Sequence, residues 1–169
     1  MKYLSSGGYQ SHPLMRLTLG LALVLLAAFW VSNLALYFLH MGLDPASVAA
    51  YYRGDEASFV PPRSAEGLLE VTHMHLPMFA LVLLLLTHLL IFSPLRPGTK
   101  VTFIVAAFAS ALAFEAAGWM TRFWAPEWAW LKVISFVVLQ GVLAWLIGGL
   151  AWNLARGGGA AANGGRSRA

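Results

Sequence analysis

The stretch GLLEVTHMHLPMFALVLLLLTHLLIF, residues 67–92, decides the fold class, because most of it is apolar enough to cross a membrane. A helix needs about 20 predominantly apolar residues to span the hydrocarbon core of a bilayer. Three histidines, His73, His75 and His88, interrupt this run. Ionisable side chains are costly inside a membrane and are candidates for a functional site. The stretch therefore predicts a membrane helix that carries chemistry.

The composition of the whole chain is also that of a membrane protein. Of its 169 residues, 59% are hydrophobic and 11% are charged. The mean hydropathy of +0.70 is too high for an ordinary soluble domain. The absence of cysteine excludes disulfides, iron–sulfur clusters, thiolate metal sites and covalent attachment of haem. The net charge of +4 does not indicate nucleic-acid binding, because the cations lie beside apolar runs and form no basic stripe.

Four apolar stretches predict an all-α, integral membrane bundle of four helices in up-down order. The predicted spans lie near 15–40, 69–93, 101–121 and 130–153. They belong to a transmembrane domain over residues 15–156, preceded by a cytoplasmic segment, 1–14, and followed by a Gly/Ala-rich cytoplasmic tail, 157–169, of flexible-linker composition. The first span lacks the small-residue cleavage site of a signal peptide, so we expect it to be retained. Ser64 is the predicted N-cap of the second long helix.

The charges of the links predict the orientation of the bundle. The N-terminus, the link after the second span and the tail carry only cations: Lys2, Arg16, Arg96, Lys100, Arg156, Arg166 and Arg168. Most of the acids lie in the loop 41–68 and the turn 122–129. The positive-inside rule then puts both termini in the cytoplasm of a bacterial inner membrane and the loop 41–68 in the periplasm. Four tryptophans at the outer ends of spans three and four agree with an interfacial belt: Trp119, Trp124, Trp128 and Trp130.

Most polar side chains within the spans share one depth. A helix rises about 1.5 Å per residue, so His40, at the outer end of the first span, lies at the level of His73 and His75. Glu115 lies roughly 9 Å below the outer face. His88 lies about 22 Å deeper than His73, near the inner face. Three histidines and one carboxyl group are therefore expected in the outer half of the bundle.

Helical geometry restricts which of these side chains can converge. Successive residues rotate by about 100°, so His73 and His75 point about 200° apart, and only one of them can face a given site. In the first span Asn33, Tyr37 and His40 recur at i, i+4 and i+7, which predicts one polar stripe that faces the bundle interior.

This arrangement suits a b-type haem, whose iron takes one imidazole from each side while the porphyrin fills an apolar slot between helices. His40 with His73 or His75 supplies the two ligands. We favour His73, which shares a broad helix face with His88. One haem is expected rather than two, because no histidine of the first span lies opposite His88. Arg53 is expected to pair with the haem propionates at the outer face.

Glu115 completes the predicted site. We expect its carboxyl group to pair with His75, Tyr37 or Arg122, and beside His75 it would fix the tautomer of the imidazole. Gln140 is expected to hydrogen-bond a neighbouring helix. Three glycines of the last span are expected to allow close helix packing: Gly141, Gly148 and Gly149.

Four motifs lie between His40 and Trp130: LHMG at 39–42, YYRG at 51–54, VTHMHL at 71–76 and FEAAGWMTRFWAPEWAWL at 114–131. Together they resemble a family of small four-helix bacterial membrane proteins, of b-type cytochrome character, that occur with electron-transport components. Some relatives carry a CxxCH haem-c segment in the first outer loop, which this chain lacks. The resemblance implies redox work beside the outer face. It also implies a site shared by these residues: His40, His73, His75 and Glu115.

The favoured interpretation is a membrane-embedded b-haem electron-transfer subunit that links the quinone pool to a periplasmic haem or copper partner within a larger complex. A quinone is a further expected ligand, and we do not expect an enzyme on its own. An alternative is a structural or accessory subunit of a respiratory or photosynthetic complex, with its histidines only hydrogen-bonded.

A third interpretation, a copper or zinc site, is disfavoured because His73 and His75 diverge. In the first two interpretations the surface 51–63 is expected to contact another subunit. Its exposed aromatic side chains would otherwise be costly in water: Tyr51, Tyr52 and Phe59.

Overall fold

The computed structural model describes residues 13–166, with side chains as far as residue 155. Within this part the chain forms five α-helices and one 3₁₀ turn. The elements are α1 Pro13–His40, α2 Pro45–Arg53, α3 Ala65–Ile91, α4 Pro97–Phe123, the 3₁₀ turn Pro126–Trp128, and α5 Ala129–Arg166. Most of the predicted N-terminal segment and the last three residues of the predicted tail lie outside the described residues.

Four helices are long and apolar enough to cross a membrane. These spans are Pro13–His40, Ala65–Ile91, Pro97–Phe123 and Pro126–Ala155. The prediction of an all-α membrane bundle with four spans is therefore confirmed, and the protein is a multi-pass membrane protein. Short links, residues 92–96 and 124–128, make consecutive spans antiparallel. Ser64 caps α3 as predicted, because its Oγ accepts a hydrogen bond from the Gly67 amide at 3.0 Å.

The last helix is longer than the sequence predicts. Although the composition after residue 156 is that of a flexible linker, α5 continues to Arg166. The five glycines of this segment disfavour a helix, but no proline interrupts it, so the helix that the span has already nucleated can continue.

The four spans leave one side of the bundle open. α4 packs along α5, α3 packs against both of them, and α1 packs against α5. Within the described residues α1 and α3 have no comparable contact, and a crevice lies between them. α1 is peripheral. Of the residues in its most apolar 18-residue segment 6% are buried, whereas 50% are buried in the corresponding segment of the last span. The core therefore lies between α3, α4 and α5, with α1 added at one edge.

The short helix α2 covers one end of the bundle. This end, which we call the loop end, also holds His40 and the turn between α4 and α5. Asp44 caps α2, because its Oδ1 accepts a hydrogen bond from the Ser47 amide at 2.8 Å. Val48 and Tyr52 of α2 pack against residues of α3 and α5: Leu68, Ala129 and Val133. α2 thus closes the loop end over the space between the spans.

Only one of the three aromatic residues expected to be exposed in the loop is fully exposed. Tyr52 is buried, and Tyr51 is half-buried under the Arg63 guanidinium, 4.1 Å from the centre of its ring. Phe59 is 93% exposed. The prediction that Tyr52 is exposed is wrong, because the tyrosine packs inside its own chain.

Close helix packing depends on Gly118 of α4 rather than on the glycines of the last span. A Cβ atom at Gly118 would lie 3.0 Å from the Tyr52 hydroxyl, so a glycine lets α2 approach α4. Around Gly141, Gly148 and Gly149 no atom beyond the local backbone lies within 4 Å of such a Cβ. For these three residues the prediction of close packing is wrong, because α5 turns this part of its surface away from its neighbours.

We expect Gly54→Ala to destabilise the loop end. Gly54 ends α2 at φ 84°, and a Cβ there would lie 2.6 Å from Val60 O and 2.8 Å from the Pro62 nitrogen. This strain should lower the free energy of unfolding by about 1–3 kcal/mol. The control is Gly98→Ala, because nothing lies within 4 Å of the added atom. For this variant the free energy of unfolding should change by no more than about 0.5 kcal/mol. Thermal unfolding in detergent measures both, and equal melting temperatures for the two variants would contradict the argument.

Candidate functional site

The loop end contains a polar cavity of about 190 Å³ between the spans and α2. We call it the loop-end cavity. Its volume corresponds to a few water molecules, at about 30 Å³ each. Its polar lining comes from all four spans and α2: Asn33, Tyr37, His40, Tyr51, Tyr52, Thr72, His75, Glu115, Trp119 and Lys132.

A hydrogen-bonded pair, His75 and Glu115, joins α3 to α4 inside this cavity. The His75 Nδ1 and the Glu115 Oε1 are 2.7 Å apart, and His75 is one of the three partners that the sequence predicts for Glu115. Thr72 donates its hydroxyl to Glu115 Oε2 at 3.2 Å. Trp119 in turn donates its Nε1–H to the Thr72 hydroxyl at 2.9 Å. Both carboxyl oxygens are therefore engaged, and the imidazole is held in one orientation.

Helix periodicity explains why these side chains meet. On α3, Thr72, His75 and Phe79 follow the i, i+3, i+7 spacing of one helix face. On α4, Glu115 and Trp119 are four residues apart and also share a face. Once α3 and α4 pack together, these two faces bring the four polar side chains into hydrogen-bonding distance.

Lys132 lies in the same cavity and was not predicted as a site residue. Its side chain is 3% exposed, its Nζ donates to Phe114 O at 2.8 Å, and the Nζ lies 3.2 Å from the centre of the Phe114 ring. A lysine near the end of a span usually extends towards the interface. The sequence carries one signal that this lysine turns inward. Lys132 shares a helix face with Phe136 and Leu139 at the i, i+4 and i+7 spacing, and both of these residues are buried.

Two tyrosines close the cavity from the side of the loop. Burial raises the pKa of the Tyr52 phenol well above its ordinary value, so this hydroxyl stays protonated. The Tyr37 hydroxyl donates to Gly42 O at 3.1 Å, and its ring stacks on Phe136 with the ring centres 3.6 Å apart. Tyr37 therefore holds the chain just after α1 against the bundle.

Two predicted haem ligands, His40 and His73, do not face a common space. His40 is exposed at the end of α1 and lines the cavity, with its Nδ1 2.8 Å from Leu36 O. His73 is exposed and lines neither the cavity nor the crevice. The favoured pairing of His40 with His73 therefore needs correction. His75 faces Glu115, which turns His73, about 200° further round the helix, to the outer surface of the bundle.

Two other predicted residues also lie away from the cavity. His88 is exposed at the opposite end of the bundle, with its ring centre 5.2 Å from that of Phe92. Arg53 donates to the backbone carbonyl groups of Thr121 and Arg122 at 3.3 and 3.4 Å. Arg53 thus satisfies carbonyl groups in the last turn of α4 rather than lining the site.

The described lining of the cavity contains two imidazoles but no cluster of metal ligands. No group of three or more His, Cys, Asp or Glu side chains that could hold a metal ion occurs within the described residues. His40 and His75 both line the cavity. Each has its Nδ1 hydrogen-bonded, and neither Nε2 has a partner in the described part of the chain. Imidazoles that bind a metal are commonly oriented in this way.

The size of the enclosed cavity limits what it can hold. Its volume of about 190 Å³ is below the range of about 300–1,000 Å³ that is usual for ligand pockets. A porphyrin or another large ring fits only if it extends into the neighbouring crevice.

That crevice opens from the cavity towards the bilayer between α1 and α3. It measures about 390 Å³ and is lined by Phe29, Ser32, Asn33, Leu36, Met74, His75, Met78 and Phe79. Three of these residues, Asn33, Leu36 and His75, also line the cavity, so the two spaces adjoin. Leu36 and Met74 are 56% and 68% exposed, which in a membrane means that they face lipid. The combined space suits a molecule with a polar ring and an apolar tail.

Comparison with known proteins gives one family. A family model described as a transmembrane helical domain matches residues 42–161, a range that includes His75, Glu115 and Lys132 and begins after His40. A search of the curated proteins and a search of the solved structures found no match. Because the matched residues make up more than half of the chain, the protein belongs to this family of transmembrane helical domains.

Proposed function

We propose that the protein is an electron-transfer subunit of a larger membrane complex and binds a quinone or quinol in the crevice between α1 and α3. One observation carries the proposal. The hydrogen-bonded His75–Glu115 pair lies where an apolar crevice, open to the bilayer, meets a polar cavity. Ionisable groups buried in a membrane are costly and mark substrate or proton pathways.

The chemistry of a quinone matches the two parts of this space. Its ring carries oxygen atoms that accept or donate hydrogen bonds, while its tail is soluble in lipid. The crevice offers the tail Phe29, Met74 and Met78. The His75 Nε2, which has no partner in the described part of the chain, offers the ring a hydrogen-bonding group. Ligand sites are typically apolar with a few oriented polar groups, as this one is.

The pair also gives the quinol a base. Oxidation of a quinol releases two protons and two electrons. The first proton passes from a ring hydroxyl to His75 Nε2, and the Glu115 carboxylate at Nδ1 stabilises the imidazolium that forms. The second proton follows after His75 has passed the first to water at the loop end. The two electrons leave singly to a haem or copper centre of the redox partner.

The proposal puts the loop end on the periplasmic side of a bacterial inner membrane, with both termini in the cytoplasm. The distribution of cations among the links supports this orientation. The partner surface is proposed around Phe59, at a turn where Asp55 and Val60 pair through two hydrogen bonds of 2.9 Å. A large side chain that is 93% exposed on such a fixed turn favours contact with a neighbouring subunit.

A short-tailed quinol analogue should bind the purified protein and quench its tryptophan fluorescence, to which Trp119 in the cavity lining contributes. We expect His75→Leu to raise the Kd about tenfold or more, because the ring hydroxyl that donates to His75 Nε2 loses its acceptor and Glu115 loses its imidazole partner. The control, His88→Leu, removes an exposed histidine at the opposite end and should leave the Kd unchanged. If the wild type does not bind, or if both variants bind equally, the proposal fails and an accessory role is favoured.

A b-type haem ligated by His40 and His75 is a second candidate, supported by the two imidazoles whose Nε2 atoms have no partner in the described residues. Bound there, a haem would supply one-electron transfer. We expect low-spin b-type bands in a reduced-minus-oxidised visible spectrum of the gently purified protein. His75→Ala should abolish them, and His73→Ala should keep them, because His73 lies outside the cavity. Absence of the bands from the wild type would eliminate this candidate.

A further inference from the structure

We infer that Lys132 makes the loop-end cavity selective for a ring that carries a negative charge on one of its oxygen atoms. The inference rests on the proposed function, since it names the class of quinone-like ligand that the crevice takes. Lys132 lines the same cavity as His75 and Glu115, so a ring that extends from the crevice into this cavity enters the space that all three side chains line.

Lys132 has no counter-ion in contact with it in the described part of the chain. Within the described residues the one ion pair closer than 4.0 Å joins His75 to Glu115. The Lys132 ammonium group is buried, at 3% exposure, and water therefore does little to compensate its charge. A buried charge without a partner is costly, and proteins either neutralise it or bind an opposite charge beside it.

Glu115 is already engaged in two hydrogen bonds. Its Oε1 is bonded to the imidazole of His75, and its Oε2 accepts the hydroxyl of Thr72. The carboxyl group is therefore bonded to α3, and within the described residues it forms no ion pair closer than 4.0 Å with Lys132 of α5. Glu115 therefore lowers the electrostatic cost of Lys132 only from a distance.

The contacts that Lys132 makes are with neutral groups. Its Nζ donates to Phe114 O at 2.8 Å and lies over the face of the same ring, 3.2 Å from the centre. The Tyr52 ring is further away, at 5.5 Å. These partners are neutral, and an ammonium group has three N–H donors. A charged ring oxygen in the cavity would supply both the missing acceptor and the missing charge.

The test compares two probes of similar shape. One is a hydroxynaphthoquinone whose ring hydroxyl is ionised at neutral pH, and the other is the corresponding methylnaphthoquinone, which is neutral. We expect Lys132→Met to raise the Kd of the ionised probe about tenfold or more, because a charge-assisted hydrogen bond is lost. The Kd of the neutral probe should change less than about threefold, since its ring contacts remain.

A matched control is Lys100→Met. Lys100 also donates to a backbone carbonyl, Ile91 O at 2.7 Å, but it lies at the opposite end of the bundle and should affect neither probe. Lys132→Gln serves if Lys132→Met does not fold. If Lys132→Met leaves both Kd values unchanged, or raises both equally, the charge preference is wrong. If neither probe binds the wild type, the proposed function itself fails and this inference fails with it.

Discussion

A carboxyl group inside a membrane must find a hydrogen-bond partner in the protein, and the rest of the site depends on how Glu115 meets this constraint. It bonds to His75 and Thr72 of α3, so the packing of α3 on α4 is tied to one rotation of each helix. That rotation turns His75 into the bundle and His73 out of it. The same two helix faces bring Trp119 to the edge of the cavity.

The open side of the bundle gives this pair access to the membrane. α1 packs on α5 and leaves a crevice towards α3, so the polar cavity beneath α2 is also reachable from lipid. Lys132 completes the cavity from α5. A hydrogen-bonded imidazole–carboxyl pair, a buried lysine and a lateral apolar entrance therefore adjoin one another, which is the physical basis of the proposed quinone site.

The sequence predicts the four spans because length and hydropathy alone determine them, and it predicts Ser64 as a cap from local chemistry. It also gives His75 as one partner of Glu115. The inward turn of Lys132 and the open side beside α1 depend on which helices pack together, which periodicity does not specify. For the same reason Gln140, expected to hydrogen-bond a neighbouring helix, is buried with no partner for its amide atoms in the described residues. The sequence pattern indicates which residues share a helix face, whereas the helix that packs against this face is determined by the tertiary structure.

The most direct measurement is photolabelling of the membrane-embedded protein with an azidoquinone, followed by peptide mapping. The account predicts label on residues 29–36 of α1 and 74–79 of α3, the two walls of the crevice, and loss of that label when an unlabelled quinone is added in excess. Label spread over the lipid-facing surfaces of all four spans, unchanged by the competitor, would contradict a specific site between α1 and α3.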